Sequence, residues 1–281
     1  MSKQKLRVVV LTHGGAERFL ELLSAEEGVE IAGVFVETVT EKKRDPLEII
    51  KRSVRYDGVL PTVKKLGGKL FGINGRAVTD EVQTMQDALA VRTAALSIPL
   101  IKVDNYHTAE SISSIRGSEA DLGILYGTNI VKESVFSIPR FGSINIHQGL
   151  APHYRGGPTV FWELLNGEDS VGITVHFVAA KVDTGDIILQ ETVPLEYDFA
   201  VYGSNYEEFL ADFRASLVEP SSRLLVEAIR QIADGTAVRT RQDISIGKRY
   251  KLPTKSEKDE LLRVLNKRQK ARRRFIRTFD L

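Results

Sequence analysis

Three side chains spaced along the middle of the chain have the chemistry needed to act together on a carbonyl. Asn145 and His147 lie two residues apart in the apolar stretch Gly142–His147, GSINIH. If that stretch is a strand, its period of two sends both side chains to one face and Ile144 and Ile146 to the other. Asp183 follows in the turn Lys181–Asp186, KVDTGD, after the strand-like run Val171–Val178. An amide donor, an imidazole and a carboxylate suit acyl transfer to an amine. The amide can stabilise the oxyanion of a tetrahedral intermediate, where one donor is worth about 3–4 kcal/mol. The imidazole can share that task or carry protons between the attacking and leaving nitrogens. The carboxylate can orient the ring and favour its charged form.

Each of these residues alone has an ordinary reading as a turn residue, a core histidine or a loop cap. His153 and His176 offer further imidazoles near His147, but no spacing on a helix or hairpin makes them metal ligands, and no metal is expected. His176 reads as the polar face of its strand. Phe161 and Trp162 read as core.

The positioning elements alternate. Leu6–Leu11 and Ile31–Val36 read as strands, separated by the turn Thr12-His13-Gly14-Gly15 and a short helix. Asp80–Leu96 reads as a helix with Asp80 in its first turn. Ser97–Val103 reads as a strand, Ala109–Ile115 as a helix and Asp121–Tyr126 as a buried strand. Pro158 reads as the first turn of a helix that Asn166-Gly167 ends, and Val171–Val178 as a strand with one buried face. Ile187–Val193 is a further strand, and helices follow near Tyr206–Leu217 and Pro220–Ala233. This order predicts an α/β fold with a doubly wound, mostly parallel sheet. Ligands then belong in the loops after Leu11, Tyr126, His147 and Val178.

The segment of about residues 37–78 reads as an insertion with amphipathic helices around Pro46–Tyr56 and Leu60–Leu70. Residues 1–219 read as a catalytic domain containing that insertion, and 220–281 as a helical, basic extension. The chain has 281 residues, no cysteine and a net charge of +2. Disulfides, zinc–thiolate sites and a cysteine nucleophile are excluded. No apolar run approaches a membrane span or a secretory signal, so the expected location is cytoplasmic. Gly247–Leu281 carries thirteen Lys/Arg against four Asp/Glu, a local charge of +9, which leaves −7 for the rest. A solvated helix or frayed terminus accounts for such a tail, and so does a surface for an anionic partner such as RNA or a membrane surface.

The stretch from Gly142 to Pro194 resembles the folate-dependent formyltransferases, whose signature is an Asn-x-His pair, a Pro/Arg/Gly loop and an Asp in a D-x-G-D turn. Here these are Asn145 and His147, Pro152-His153-Tyr154-Arg155-Gly156-Gly157, and Asp183-Thr184-Gly185-Asp186. The likeness is looser over Leu6–Pro139 and absent from the insertion and the tail, and Gln148 stands where many relatives carry proline. The resemblance implies a Rossmann-like fold and formyl transfer from 10-formyl-tetrahydrofolate to a primary amine. It implies Asn145, His147 and Asp183 as catalytic residues. Leu125, Tyr126, Gly127 and Thr128, with Gly149, Leu150, Tyr154, Arg155 and Gly156, are the implied folate contacts. His13, Gly14 and Gly15 could hold an acceptor's phosphate at a helix start, or be a plain strand-to-helix turn.

The acceptor stays open between a methionyl-tRNA-like molecule, a sugar amine and glycinamide ribonucleotide. About 60 basic, helical residues after Glu219 are few for a barrel domain. Two other functions stand as alternatives for the same residues. Water as nucleophile would make the protein a hydrolase, for which the family adds an N-terminal regulatory domain ahead of the first strand. A retained fold with a basic tail would make it an RNA-binding protein.

Overall fold

The computed structural model describes residues 4–38, 55–56, 76–203 and 205–279. The helices expected around Pro46–Tyr56 and Leu60–Leu70 lie outside these residues, apart from Arg55 and Tyr56, which are helical.

The described elements run β1 Leu6–Thr12, α1 Glu17–Ser24, β2 Val29–Glu37, α2 Arg76–Ala95, β3 Leu100–Val103, α3 Ala109–Gly117, β4 Leu122–Tyr126, α4 Glu133–Phe136, β5 Ser143–His147 and β6 Tyr154–Gly156. The chain continues through α5 Phe161–Asn166, β7 Ser170–Phe177, β8 Ile187–Pro194, a 3-10 turn at Phe199–Tyr202, α6 Tyr206–Ser216, α7 Val218–Asp234, β9 Lys248–Tyr250 and α8 Lys255–Phe279. Seven strands form one sheet in the order β3-β2-β1-β4-β5-β7-β8. The first five are parallel, and β7 and β8 join antiparallel. The doubly wound, mostly parallel α/β architecture expected from the sequence is the one formed.

The strands are nearly continuous in apolar residues because both faces of the sheet are covered. Val8 and Val10 of β1 pack on Phe19, Leu20 and Leu23 of α1 and on Leu225, Ala228 and Ile229 of α7. Val9 and Leu11, one residue out of phase, pack with Tyr106, Ile115 and Val135 on the other face. Each buried side chain of this kind contributes roughly 1.5–3 kcal/mol. A further cluster joins Val171 and Ile173 of β7 to Phe161 and Trp162 of α5, Phe209 of α6, and Leu261 and Leu265 of α8. Phe161 and Trp162 are therefore core, as expected.

Several local expectations change. α2 begins at Arg76, so Asp80 lies past its first turn. Ser97 sits at φ 56°, and the strand starts only at Leu100. Pro158 precedes the helix: Val160, at φ 70°, breaks the backbone before Phe161. Gly167, at φ 91°, ends α5 as anticipated. β7 is buried on both faces, not one, because a strand inside the sheet has covered neighbours on each side. α8 is not merely solvated: Leu261 and Leu265 are fully buried. No helix among the described residues is long and apolar enough to cross a membrane.

Candidate active site

The parallel run β4–β5 and the antiparallel β7 set the site. Asn145 pairs with Leu125 on one side and His176 on the other, and His147 pairs with Thr174. Paired residues share a face, so Asn145, His147, Thr174, His176 and Leu125 all project to one side of the sheet. β7 runs antiparallel, so its following loop leaves beside the start of β5, where Val178 N–H bonds Ser143. The loop after Val178 therefore does not begin at the strand ends where it was sought. It folds back over the sheet's face and brings Asp183 above the two imidazoles.

Asp183 Oδ2 accepts a 2.8 Å bond from Gly156 N–H and lies 3.7 Å from His147 Nδ1, and Oδ1 lies 3.5 Å from His176 Nε2. Asp183 has φ 52°, a left-handed conformation uncommon for residues other than glycine, though aspartate adopts it more readily than most. Gly185 shows how tight the turn is, since a Cβ there would overlap the Phe177 carbonyl. The glycine of D-x-G-D lets the turn lie against β7.

Each ring nitrogen has a specific neighbour. His147 Nε2 lies 2.8 Å from the Tyr154 carbonyl, an acceptor only, so this nitrogen carries the proton in the neutral ring. Its Nδ1 lone pair then faces Asp183. The orientation expected of the carboxylate comes instead from a backbone carbonyl. Burial holds the His147 ring below the usual histidine range, against the Asp183 charge and the Tyr154 bond, which favour the cation. Burial pushes Asp183 up, but the His176 and His147 rings, when protonated, and the Gly156 N–H outweigh it and hold the carboxyl well below the carboxylate range.

His176, read from the sequence as a strand's polar face, is buried and belongs to this cluster. Its Nδ1 donates to the Phe177 carbonyl at 2.7 Å, and its Nε2 lies 3.3 Å from Asn145 Nδ2. One signal for it was available: counting by two from Val175, whose side chain is apolar and buried, puts His176 on the opposite face, the one Asn145 occupies. Antiparallel pairing, which the sequence did not reveal, was needed to see them adjacent.

A cleft of about 140 Å³ opens before Asn145, His176 and Asp183, lined also by Leu125, Thr128 and Val178. Of the other residues sought on this strand end, Tyr126 stacks on Phe19 at 5.5 Å in the core, and Gly127 makes the turn at φ 61°. The loop after His147 lies behind the ring. Gly149 allows it, because a Cβ there would overlap His147 Nε2. Leu150 and Tyr154 line a separate cavity of about 510 Å³ with Glu163, Glu168 and Tyr250. Arg155 donates to the Pro152 and Ile244 carbonyls, so its guanidinium is occupied by backbone. Tyr154–Gly156 is itself a strand, β6, paired with β9, where a loop alone was expected.

The first turn stands apart from this cluster. His13 Nε2 lies 2.7 Å from Glu37 Oε2, Gly14 N–H bonds Thr12 Oγ1, and Met85 packs within 3.0 Å of where a Cβ on Gly14 or Gly15 would sit. Glu17 occupies the first turn of α1. Two carboxylates thus stand near this turn.

A family model described as formyl transferase matches residues 6–200. A seven-stranded sheet carrying an Asn-x-His pair under an aspartate turn is the region so matched, and the chain belongs to the formyl transferase family. It is 35% identical over 140 residues to a methionyl-tRNA formyltransferase of Pelotomaculum thermopropionicum, covering 50% of this chain and 41% of that protein. It is 30% identical over 138 residues to that of Bacteroides fragilis, covering 49% and 40%. The chain thus matches less than half the length of these curated relatives. Among solved structures, glycinamide ribonucleotide transformylase 1 from Symbiobacterium toebii aligns with TM-score 0.54 at 20% identity, over 86% of this chain and all of that one. A sugar N-formyltransferase from Shewanella aligns with TM-score 0.53 at 16% identity, over 92% and 88%. At these identities the structural likeness is one of fold.

Proposed function

We propose that this protein transfers a formyl group from 10-formyl-tetrahydrofolate to a primary amine, with Asn145, His147 and Asp183 carrying the chemistry. The observation that supports this most is the placing of the His147 ring, with Nε2 2.8 Å from the Tyr154 carbonyl and Nδ1 facing Asp183 at 3.7 Å. A ring held neutral by burial is a base ready to take a proton.

The donor's formyl carbon would lie before Asn145. The amine attacks it and forms the new C–N bond. Asn145 Nδ2 donates to the developing oxyanion, and His147 Nδ1 takes the amine proton. Asp183 stabilises the imidazolium so formed. The bond to the folate nitrogen then breaks, and His147 returns the proton to that nitrogen. Atoms and charge balance, and the products are a formamide and tetrahydrofolate. His176 supports Asn145 from behind.

The cleft suits part of a folate. Leu125, Val131, Val178 and Val182 give it apolar walls, and Thr128 and Asn129 give polar edges. Its volume of about 140 Å³ is below the roughly 300 Å³ that holds a whole drug-sized ligand. It would take one end of the molecule, with Leu125 and Thr128 against it. We assign Gly149, Leu150, Tyr154, Arg155 and Gly156 to the frame behind His147 rather than to donor contact. We assign His13, Gly14 and Gly15, at the end of β1, to acceptor contact, where the Glu37 and Glu17 carboxylates favour a neutral or cationic group over a phosphate. The basic C-terminal helix offers an anionic acceptor, an RNA included, a surface to dock on.

The test is release of tetrahydrofolate from 10-formyl-tetrahydrofolate, with and without a pool of primary amines. Amine-dependent release is expected, with Asn145→Ala reducing kcat by about a hundredfold or more and His147→Ala by a similar factor. Release without amine would make the protein a hydrolase. Absence of release, with RNA binding that weakens steeply with salt, would favour the binding protein.

A further inference from the structure

Tyr154 and Gly156 supply the two backbone groups that hold the site. The Tyr154 carbonyl fixes His147, and Gly156 N–H fixes Asp183. Both belong to β6, a strand of three residues. Its hydrogen-bonded partner is β9, with Tyr154 opposite Lys248 and Gly156 opposite Tyr250. A three-residue strand does not hold itself in place. We infer that the segment of residues 244–251, outside the region matched by the family, is a clamp whose backbone positions His147 and Asp183, with Gly247 and Tyr250 as its positioning residues.

The contacts run along the whole segment. The Ile244 carbonyl accepts from Arg155 Nη2 at 3.3 Å, and Lys248 N–H donates to the His153 carbonyl at 3.1 Å. The Tyr250 ring stacks on Tyr154 at 5.3 Å, and its hydroxyl accepts from Asn166 Nδ2 at 2.7 Å. Trp162 Nε1 donates to the Lys251 carbonyl at 3.1 Å. Gly247 lies so close to the Pro152 carbonyl that a Cβ would overlap it. Beyond the clamp, Leu261 and Leu265 anchor α8 in the cluster that contains Trp162. Ahead of the clamp, Gln242 Nε2 donates to the Gly185 carbonyl at 2.6 Å, so the clamp is fastened at both ends, and β6 lies between it and the two catalytic side chains.

The clamp's role rests on the proposed reaction, and the test separates the two. Gly247→Ala places a methyl group against Pro152 and pushes the segment off β6. In the full-length chain it should lower kcat at least tenfold, since small misplacements of catalytic groups are costly, and leave folate KM within about threefold. Without any substrate, the NMR titration of the His147 ring should move to lower pH, because a bond favouring its cation is weakened. Trp162→Phe, which keeps an aromatic ring in the cluster and deletes one clamp bond, should shift both readouts in the same direction and less. If the parent protein shows no amine-dependent transfer, the proposed reaction fails, while the His147 titration still reports on the clamp. If Gly247→Ala and Trp162→Phe fold with unchanged kcat and an unchanged His147 titration, the clamp is refuted. Should Gly247→Ala not fold, Trp162→Phe alone decides by the same two readouts.

Discussion

His147 and His176 are fixed by the same device. In each ring one nitrogen is given to a backbone carbonyl, Tyr154 or Phe177, and the other is turned toward Asp183. Backbone carbonyls accept but never donate, so they set the tautomer, which a hydroxyl, able to do either, would leave open. Asp183 is thereby freed from orienting a ring and can act as a fixed negative charge. A different buried acid shows what an unpaired carboxyl costs. Both carboxyl oxygens of Glu163 are buried with no well-formed hydrogen bond, and burial outweighs the nearby Glu163 and Val160 backbone and the Arg214 charge to raise its pKa from the ordinary 4.5 to about 7. The folded protein then binds a proton there that the unfolded chain has released. Stability from this group is full below the unfolded pKa and falls as pH rises toward 7. Glu163→Gln should therefore raise the melting temperature over the parent at pH 8, with a ceiling of about 3 kcal/mol, and change it little at pH 4. The same gain at both pH values would mean the carboxyl is not protonated in the fold.

Among the elements, the turn between β7 and β8 has the most to do in the fewest residues. It must leave β7 beside the start of β5, double back, and set Asp183 over the sheet. Gly185 makes this possible, with its carbonyl accepting from Gln242 Nε2 at 2.6 Å and its α-carbon against the Phe177 carbonyl. That same Phe177 carbonyl holds His176. Gly185→Ala should therefore displace both Asp183 and the His176 ring, lowering kcat about tenfold or more by misplacing the cluster, with a lower melting temperature. Unchanged kcat in a destabilised variant would show that the turn adjusts without moving the carboxylate. The strands and helices that carry this site were legible in the sequence, because apolar periodicity and glycine stops are local signals. The roles of Asn145, His147 and Asp183 as neighbours were legible only through a family resemblance. His176 was missed because its neighbour Asn145 comes from an antiparallel pairing that periodicity does not encode. β6 and β9 were missed for a stronger reason: two three-residue strands separated by about ninety residues carry no period to read.

At the scale of the molecule, the question is whether the chain past Glu219 is a separate unit, as its composition suggests. The packing argues for one body. α7 contributes Leu225, Ala228 and Ile229 to the cluster under the main sheet, and α8 contributes Leu261 and Leu265 to the cluster around Trp162. Ile146 and Leu224 touch both clusters, so neither can open without exposing the other's edge. The basic charge of the C-terminal segment therefore rides on a helix whose inner face is core. Leu265→Ala should cost about 2–5 kcal/mol, the usual range for a buried leucine truncated without collapse of the site. For a chain of this size that is a fall of several degrees in melting temperature. Calorimetry should show one cooperative transition, shifted as a whole, and transfer activity should decline with it because α8 anchors the clamp on β6. Two transitions, with only the weaker one moved by the substitution, would instead make the C-terminal part an independent domain and leave the catalytic sheet standing without it.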